Sequence, residues 1–147
     1  VNAHYRPAVP SDVQAVALRM RDLDVREVAA HGLGPLEALE KSFQMSDEVN
    51  TIVIDETPEA LFGVAGNSVW LLCSDQISRV GRRLIREGRE WLDAKNDEIG
   101  TLENYVLASH HEAIFFIEIL GGTFTHEVEI SGESFFRFER SNECVSH

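Results

Sequence analysis

The chain has 147 residues, 44% of them hydrophobic and 26% charged, which is enough for one domain with a real core. Its formal net charge of -12 argues against nucleic-acid binding, because affinity for phosphate backbones comes mainly from Lys and Arg displacing counterions. Protein or small-molecule partners are expected instead.

No stretch approaches the ~20 apolar residues of a membrane span, and the N-terminal VNAHYRPAVP has no apolar run of signal-peptide length. A soluble protein, intracellular at synthesis, is therefore expected. Cys73 and Cys144 make no metal-ligand spacing, so no metal is expected and both are read as reduced thiols.

In chain order, AHYRPA reads as a short strand. Ser11 or Asp12 then caps a helix on which Val13, Val16, Met20 and Leu23 recur at helical spacing. The helix continues or restarts through DVREVAAHG and stops at Gly32. Pro35 suits a first helical position, and Leu36, Leu39 and Phe43 make one apolar face. TIVIDE and ALFGVAG read as strands joined by a turn at Thr57-Pro58, and SVWLLC as a strand covered on both faces.

A helix over Arg79 to Trp91 follows, with Ile77, Val80, Leu84, Trp91 and Leu92 at a 3.6-residue period. Arg79, Arg82, Arg83, Arg86 and Arg89 stand on its other side. NYVLA is a further apolar strand. HEAIFFIEIL is a helix closed by Gly121-Gly122, and TFTHEVEI and SFFRFER form a hairpin about Ser131-Gly132. Trp91, Phe115 and Phe116 read as core. The order implies a single α/β domain over residues 1–140, with a short tail at 141–147. Its sheet is mixed and mostly antiparallel, and one central crossover helix joins a parallel pair, SVWLL and NYVLA.

That order resembles the GNAT fold, the family of acyl-CoA-dependent N-acyltransferases. Gln76-Ile77-Ser78-Arg79-Val80-Gly81 is similar to the family's loop Arg/Gln-x-x-Gly-x-Gly/Ala, with Arg79 where the first motif glycine belongs. LASHHEAIFFIEILGGTF resembles a second family segment, with Ala113 and Gly121 matching, His110 in place of Asn and Ile117 in place of Tyr. The chain is also similar to a phage branch of this fold, the internal virion protein A family of short-tailed phages. The resemblance lies in the Arg6-Pro7 start, the Asp24-x-x-Glu27 helix, Ser74-Asp75-Gln76, and NYV followed by FFIEILGG.

The resemblance implies acetyl-CoA as cofactor, held by Leu72, Cys73, Gln76, Arg79, Gly81 and Arg82. The turn would wrap a pyrophosphate with backbone N–H groups at a helix N-terminus. Arg79 puts a large cation where the backbone must approach the anion, which implies lost or weakened cofactor binding, with Arg79→Gly reopening the cradle. Ile117 cannot protonate a leaving thiolate.

If the chain is an enzyme, Tyr105 and His110 are the catalytic candidates, with Ser109 and His111 beside them; otherwise the histidine pair is a polar helix start exposed to water. Cys73 is a nucleophile or a small buried hydrophobe. Asp75 is a helix cap or a catalytic acid. Asp24 and Glu27 face a cleft or form a solvated helix face. The arginine stripe holds phosphates, docks an acidic partner, or is a solvated face.

The leading expectation is a noncatalytic role binding a phage or host protein in virion assembly or infection, in the host-cell cytoplasm or the virion. The alternative is an acetyl-CoA-dependent N-acetyltransferase of a small amine or protein.

Overall fold

A computed structural model describes residues 1–142; Cys144 and most of the predicted tail lie outside the described residues. Strand β1 (Ala3–Pro7) is followed by helices α1 (Pro10–Ala17), α2 (Asp22–Ala30) and α3 (Pro35–Met45). Three strands come next, β2 (Glu48–Ile54), β3 (Thr57–Ala65) and β4 (Ser68–Cys73), then a 3-10 turn at Asp75–Arg79 and the long helix α4 (Arg82–Ile99). Strand β5 (Leu102–Leu107), helix α5 (His111–Ile119) and strands β6 (Gly122–Ile130) and β7 (Glu133–Arg140) complete the chain.

The strands form one seven-stranded sheet in the order β1-β2-β3-β4-β5-β7-β6. Every neighbouring pair is antiparallel except β4 and β5, which are parallel. This is the predicted architecture, with α4 as the connection between the parallel strands.

Alternation along the strands divides the core. Leu61, Trp70 and Leu72 turn toward Val13, Val16, Met20, Val28 and Leu39 of the N-terminal helices and the segments joining them. Phe62, Val64 and Val69 turn the other way, toward Trp91 and Leu92 of α4. The ring of Phe62 meets Trp91 edge-on at 5.0 Å.

Several local expectations are corrected. The β2–β3 turn is Asp55-Glu56, at φ 48° and 70°, because a two-residue hairpin needs left-handed backbone at both central positions. Thr57 and Pro58 already belong to β3, with Pro58 beside the register shift at Ile52/Val53, where a missing N–H is tolerated. Helix α1 starts one residue before Ser11, at Pro10, with Val9 as the N-cap. Asp12 reaches back from the third helical position to accept the Val9 N–H at 2.9 Å. Its carboxylate also holds Arg6 at 2.7 Å and Thr51 at 2.7 Å.

The central helix begins at Arg82 and not at Arg79, since the 3-10 turn intervenes, and it runs on to Ile99. Phe115 is not core: it is 64% exposed, and α5 has no fully buried residue. The Gly121-Gly122 stop works by two means. Gly121 has φ +97°, and a Cβ on Gly122 would stand 2.5 Å from Ile117 Cγ2.

Candidate functional site

Strands β4 and β5 share a single ladder pair, Ser68 with Glu103, at their N-terminal ends. Asn104 bridges the start of the gap by donating from Nδ2 to the Val69 carbonyl at 2.8 Å. Beyond it the strands diverge toward Cys73 and Leu107, and a cavity of about 620 Å³ opens against them. Its walls are mostly apolar, with Trp70 and Leu72 on one side, Leu84 and Trp91 on α4, and Phe116 and Ile117 on α5.

Diverging strands leave main-chain donors that need other partners. Helix α2 supplies them. Asp24 Oδ2 accepts the backbone N–H of Cys73 at 2.9 Å, and Glu27 Oε2 accepts that of Leu107 at 2.8 Å. The two acids are three residues apart, so both lie on one helix face, and each ends one of the separated strands.

Asp24 is the centre of a buried network. Its carboxylate also accepts from Arg21 Nη2 at 3.0 Å and lies 2.9 Å from His110 Nε2. Arg21 reaches on to Glu112 at 2.8 Å. Burial alone would raise the Asp24 carboxyl, but the His110 hydrogen bond, the Arg21 charge and the Cys73 N–H outweigh it and hold the group below the usual range. Glu27 lacks such partners. Burial pushes its carboxyl up to about 7, against the lowering effect of the Leu107 N–H. Burial and the Asp24 charge raise the Cys73 thiol well above its ordinary value.

His110 is 1% exposed, which overturns the expected water-exposed helix start. It is the N-cap of α5, and Nδ1 accepts the Ala113 N–H at 3.4 Å. That bond assigns the ring hydrogen to Nε2, which donates it to Asp24, so both ring nitrogens are engaged. His111 and Ser109 are exposed. Tyr105 is 41% exposed and lines the cavity. Cys73 is fully buried, the structural alternative for that residue. Asp24 is also buried, so the solvated-face reading fails for it, whereas Glu27 lines the cavity.

The 3-10 turn is capped by Ser74, whose Oγ accepts the Gln76 N–H at 3.1 Å; Asp75, expected to cap it, is exposed. Arg79 donates to Asp55 at 2.6 Å and to Gln76 at 2.8 Å, and it is not among the residues lining the cavity. Gly81 is the N-cap of α4, and a Cβ there would meet nothing within 4 Å. Leu72 lies in the cavity wall and Arg82 is exposed at the start of α4. Among the described residues no group of three or more His, Cys, Asp or Glu is arranged to hold a metal ion, and no helix is long and apolar enough to cross a membrane.

Sequence reasoning placed Asp24, Glu27, Cys73 and His110 separately and did not join them. Arg21 and Glu112 were missed. Only the Arg21–Asp24 spacing of three residues on a helix start hinted at the pair.

Comparison with known proteins places this geometry. The family model described as bacteriophage T7 probable scaffold protein Gp13 matches residues 48–129, more than half of the chain. The chain belongs to that family. The probable scaffold protein gp13 of Escherichia phage T7 is 29% identical over 114 residues, covering 75% of this chain and 78% of the relative.

Solved structures show the fold. A GNAT-family acetyltransferase from Bacillus cereus superposes with a TM-score of 0.66 at 10% identity, covering 96% of this chain and 98% of the other. AAC(6')-Ib in complex with ribostamycin and coenzyme A gives 0.61 at 12% identity, covering 99% of each. The GNAT-like fold expected from the sequence is thus observed in a member of a phage scaffold-protein family.

Proposed function

We propose that this chain is a noncatalytic, protein-binding component of phage particle assembly or infection, related to internal virion protein A of short-tailed phages. It acts in the host-cell cytoplasm and in the particle that forms there. Membership of a scaffold-protein family supports the assembly role. The occupation of the strand ends by Asp24 and Glu27 supports the absence of catalysis.

Acyl transfer from a thioester needs a preorganised donor at the carbonyl oxygen and an acid for the leaving thiolate. At the ends of the diverging strands, the Cys73 and Leu107 N–H groups are already bonded to carboxylates. Ile117 carries no proton to give, and both ring nitrogens of His110 are in use. Arg79, the cation nearest the phosphate turn, is bound to Asp55 and Gln76. The residues present therefore do not fit acetyl-CoA chemistry, and no step is derived through that cofactor.

The N-acetyltransferase reading draws on one observation: Glu27, with its carboxyl near 7, stands at the cavity in the range suited to a general base. It would have to serve there while accepting the Leu107 N–H.

Size-exclusion chromatography of the purified chain with the virion proteins of its phage tests the binding role. Co-elution with at least one of them, without acetyl-CoA, is the expected result. No co-elution, together with acetyl transfer to an amine, would overturn it.

A further inference from the structure

The arginines of the central helix are not equivalent. Arg83 pairs with Glu87 at 3.1 Å, Arg79 with Asp55, and Arg89 donates to the Ile119 carbonyl of α5 at 2.6 Å. Arg82 and Arg86 are exposed and have no hydrogen bond or ion pair among the described residues. They lie seven and three residues before Arg89, so all three share one side of α4. Arg89 fixes that side as the one turned to α5. Ile85 and Gly88, on the same side, line the cavity, and Ala113, Phe115 and Phe116 line it from α5.

Two unpaired cations thus edge an apolar cleft with an exposed aromatic on its opposite lip. The chain otherwise carries an excess of twelve negative charges. The first turn of α4 also has no acidic residue to complement its dipole.

We propose that the cleft between α4 and α5 docks an amphipathic acidic segment of a partner protein, with an aromatic or long aliphatic side chain in the cavity and carboxylates on Arg82 and Arg86. This deepens the protein-binding reading and rests on it. The apolar cavity and exposed Phe115 supply the desolvated anchor that interfaces use, and the arginines supply the rim. Acidic groups elsewhere on the chain repel such a segment, which sets its position. A coenzyme would also match cations beside an apolar cleft. The peptide is favoured because the inner end of the cavity presents carboxylates in place of free main-chain donors.

A randomised linear peptide library selected on the whole chain tests this. Enriched peptides should carry an aromatic or long aliphatic residue with Asp or Glu within about four positions, the reach of one helical turn. A synthetic peptide of that consensus should bind about tenfold more weakly to Arg82→Glu/Arg86→Glu, with the difference shrinking in high salt. Ala113→Trp, which fills the cavity from α5, should reduce binding as well. Circular dichroism and thermal melting confirm that each variant is folded, and the charge reversal serves alone if Ala113→Trp is not.

A consensus without acids, binding unchanged by the charge reversal, or no enrichment over bare resin would overturn the proposal. So would saturable coenzyme A binding that the charge reversal abolishes, with no peptide enriched. If virion proteins co-elute equally with wild type and the double variant, the docking site is elsewhere and the assembly reading stands. If none co-elutes with wild type, that reading fails first.

Discussion

Asp24 Oδ2 accepts the Cys73 backbone N–H at 2.9 Å, so a side chain of α2 does what a neighbouring strand does elsewhere in the sheet. Where β4 leaves β5, a helix carboxylate ends the strand. The same carboxylate binds Arg21 and His110, joining α2, β4 and the start of α5 at one buried point.

Removing that point should be costly. Asp24→Ala leaves Arg21, the Cys73 N–H and His110 Nε2 without their acceptor, and breaking a buried charged network in this way costs about 3–5 kcal/mol. Asp24→Asn keeps the shape and loses only the charge, so it should cost less. Urea denaturation measures both. A loss below about 1 kcal/mol for Asp24→Ala would show that the network does not hold the wedge.

Glu27 should make stability depend on pH. Its folded carboxyl titrates at about 7 against an ordinary value of 4.5, so between those values the folded state binds the proton more tightly than the unfolded chain. Stability is then fully present below about 4.5 and falls as pH rises toward 7, by at most about 1.4 kcal/mol per pH unit. The lowered Asp24 carboxyl acts in the opposite direction and only in more acidic solution. Glu27→Gln keeps an acceptor for the Leu107 N–H and does not ionise. Denaturation from pH 5 to 8 should show the wild type losing stability relative to Glu27→Gln as pH rises. Parallel curves would contradict the assignment.

Much of the fold was legible in the sequence because hydrophobic periodicity specifies elements directly. The parallel pair of apolar strands, the arginine-bearing helix between them and the Ser131-Gly132 hairpin all follow from local patterns. The Asp55-Glu56 turn was missed because two acids at left-handed φ are a weaker turn signal than Pro. Phe115 was read as core because an apolar helix has no sequence mark for the side that stays at a cavity mouth. The polar centre was the least legible part. Arg21, Asp24, Cys73 and His110 come from four places in the chain, and nothing local to His110 shows that Asp24, 86 residues away, will bury it.

Calorimetric titration of acetyl-CoA into the unmodified chain bears most directly on whether this is a scaffold without catalysis. No saturable heat should appear at millimolar ligand, well above the ~1 μM to 1 mM range in which enzymes commonly bind substrates. Arg79→Gly should leave that result unchanged, since the Arg79 side chain is already drawn away to Asp55. Saturable binding by the wild type, accompanied by acetyl transfer that Tyr105→Phe or His110→Asn abolishes without unfolding the protein, would make it an acetyltransferase and contradict the reading.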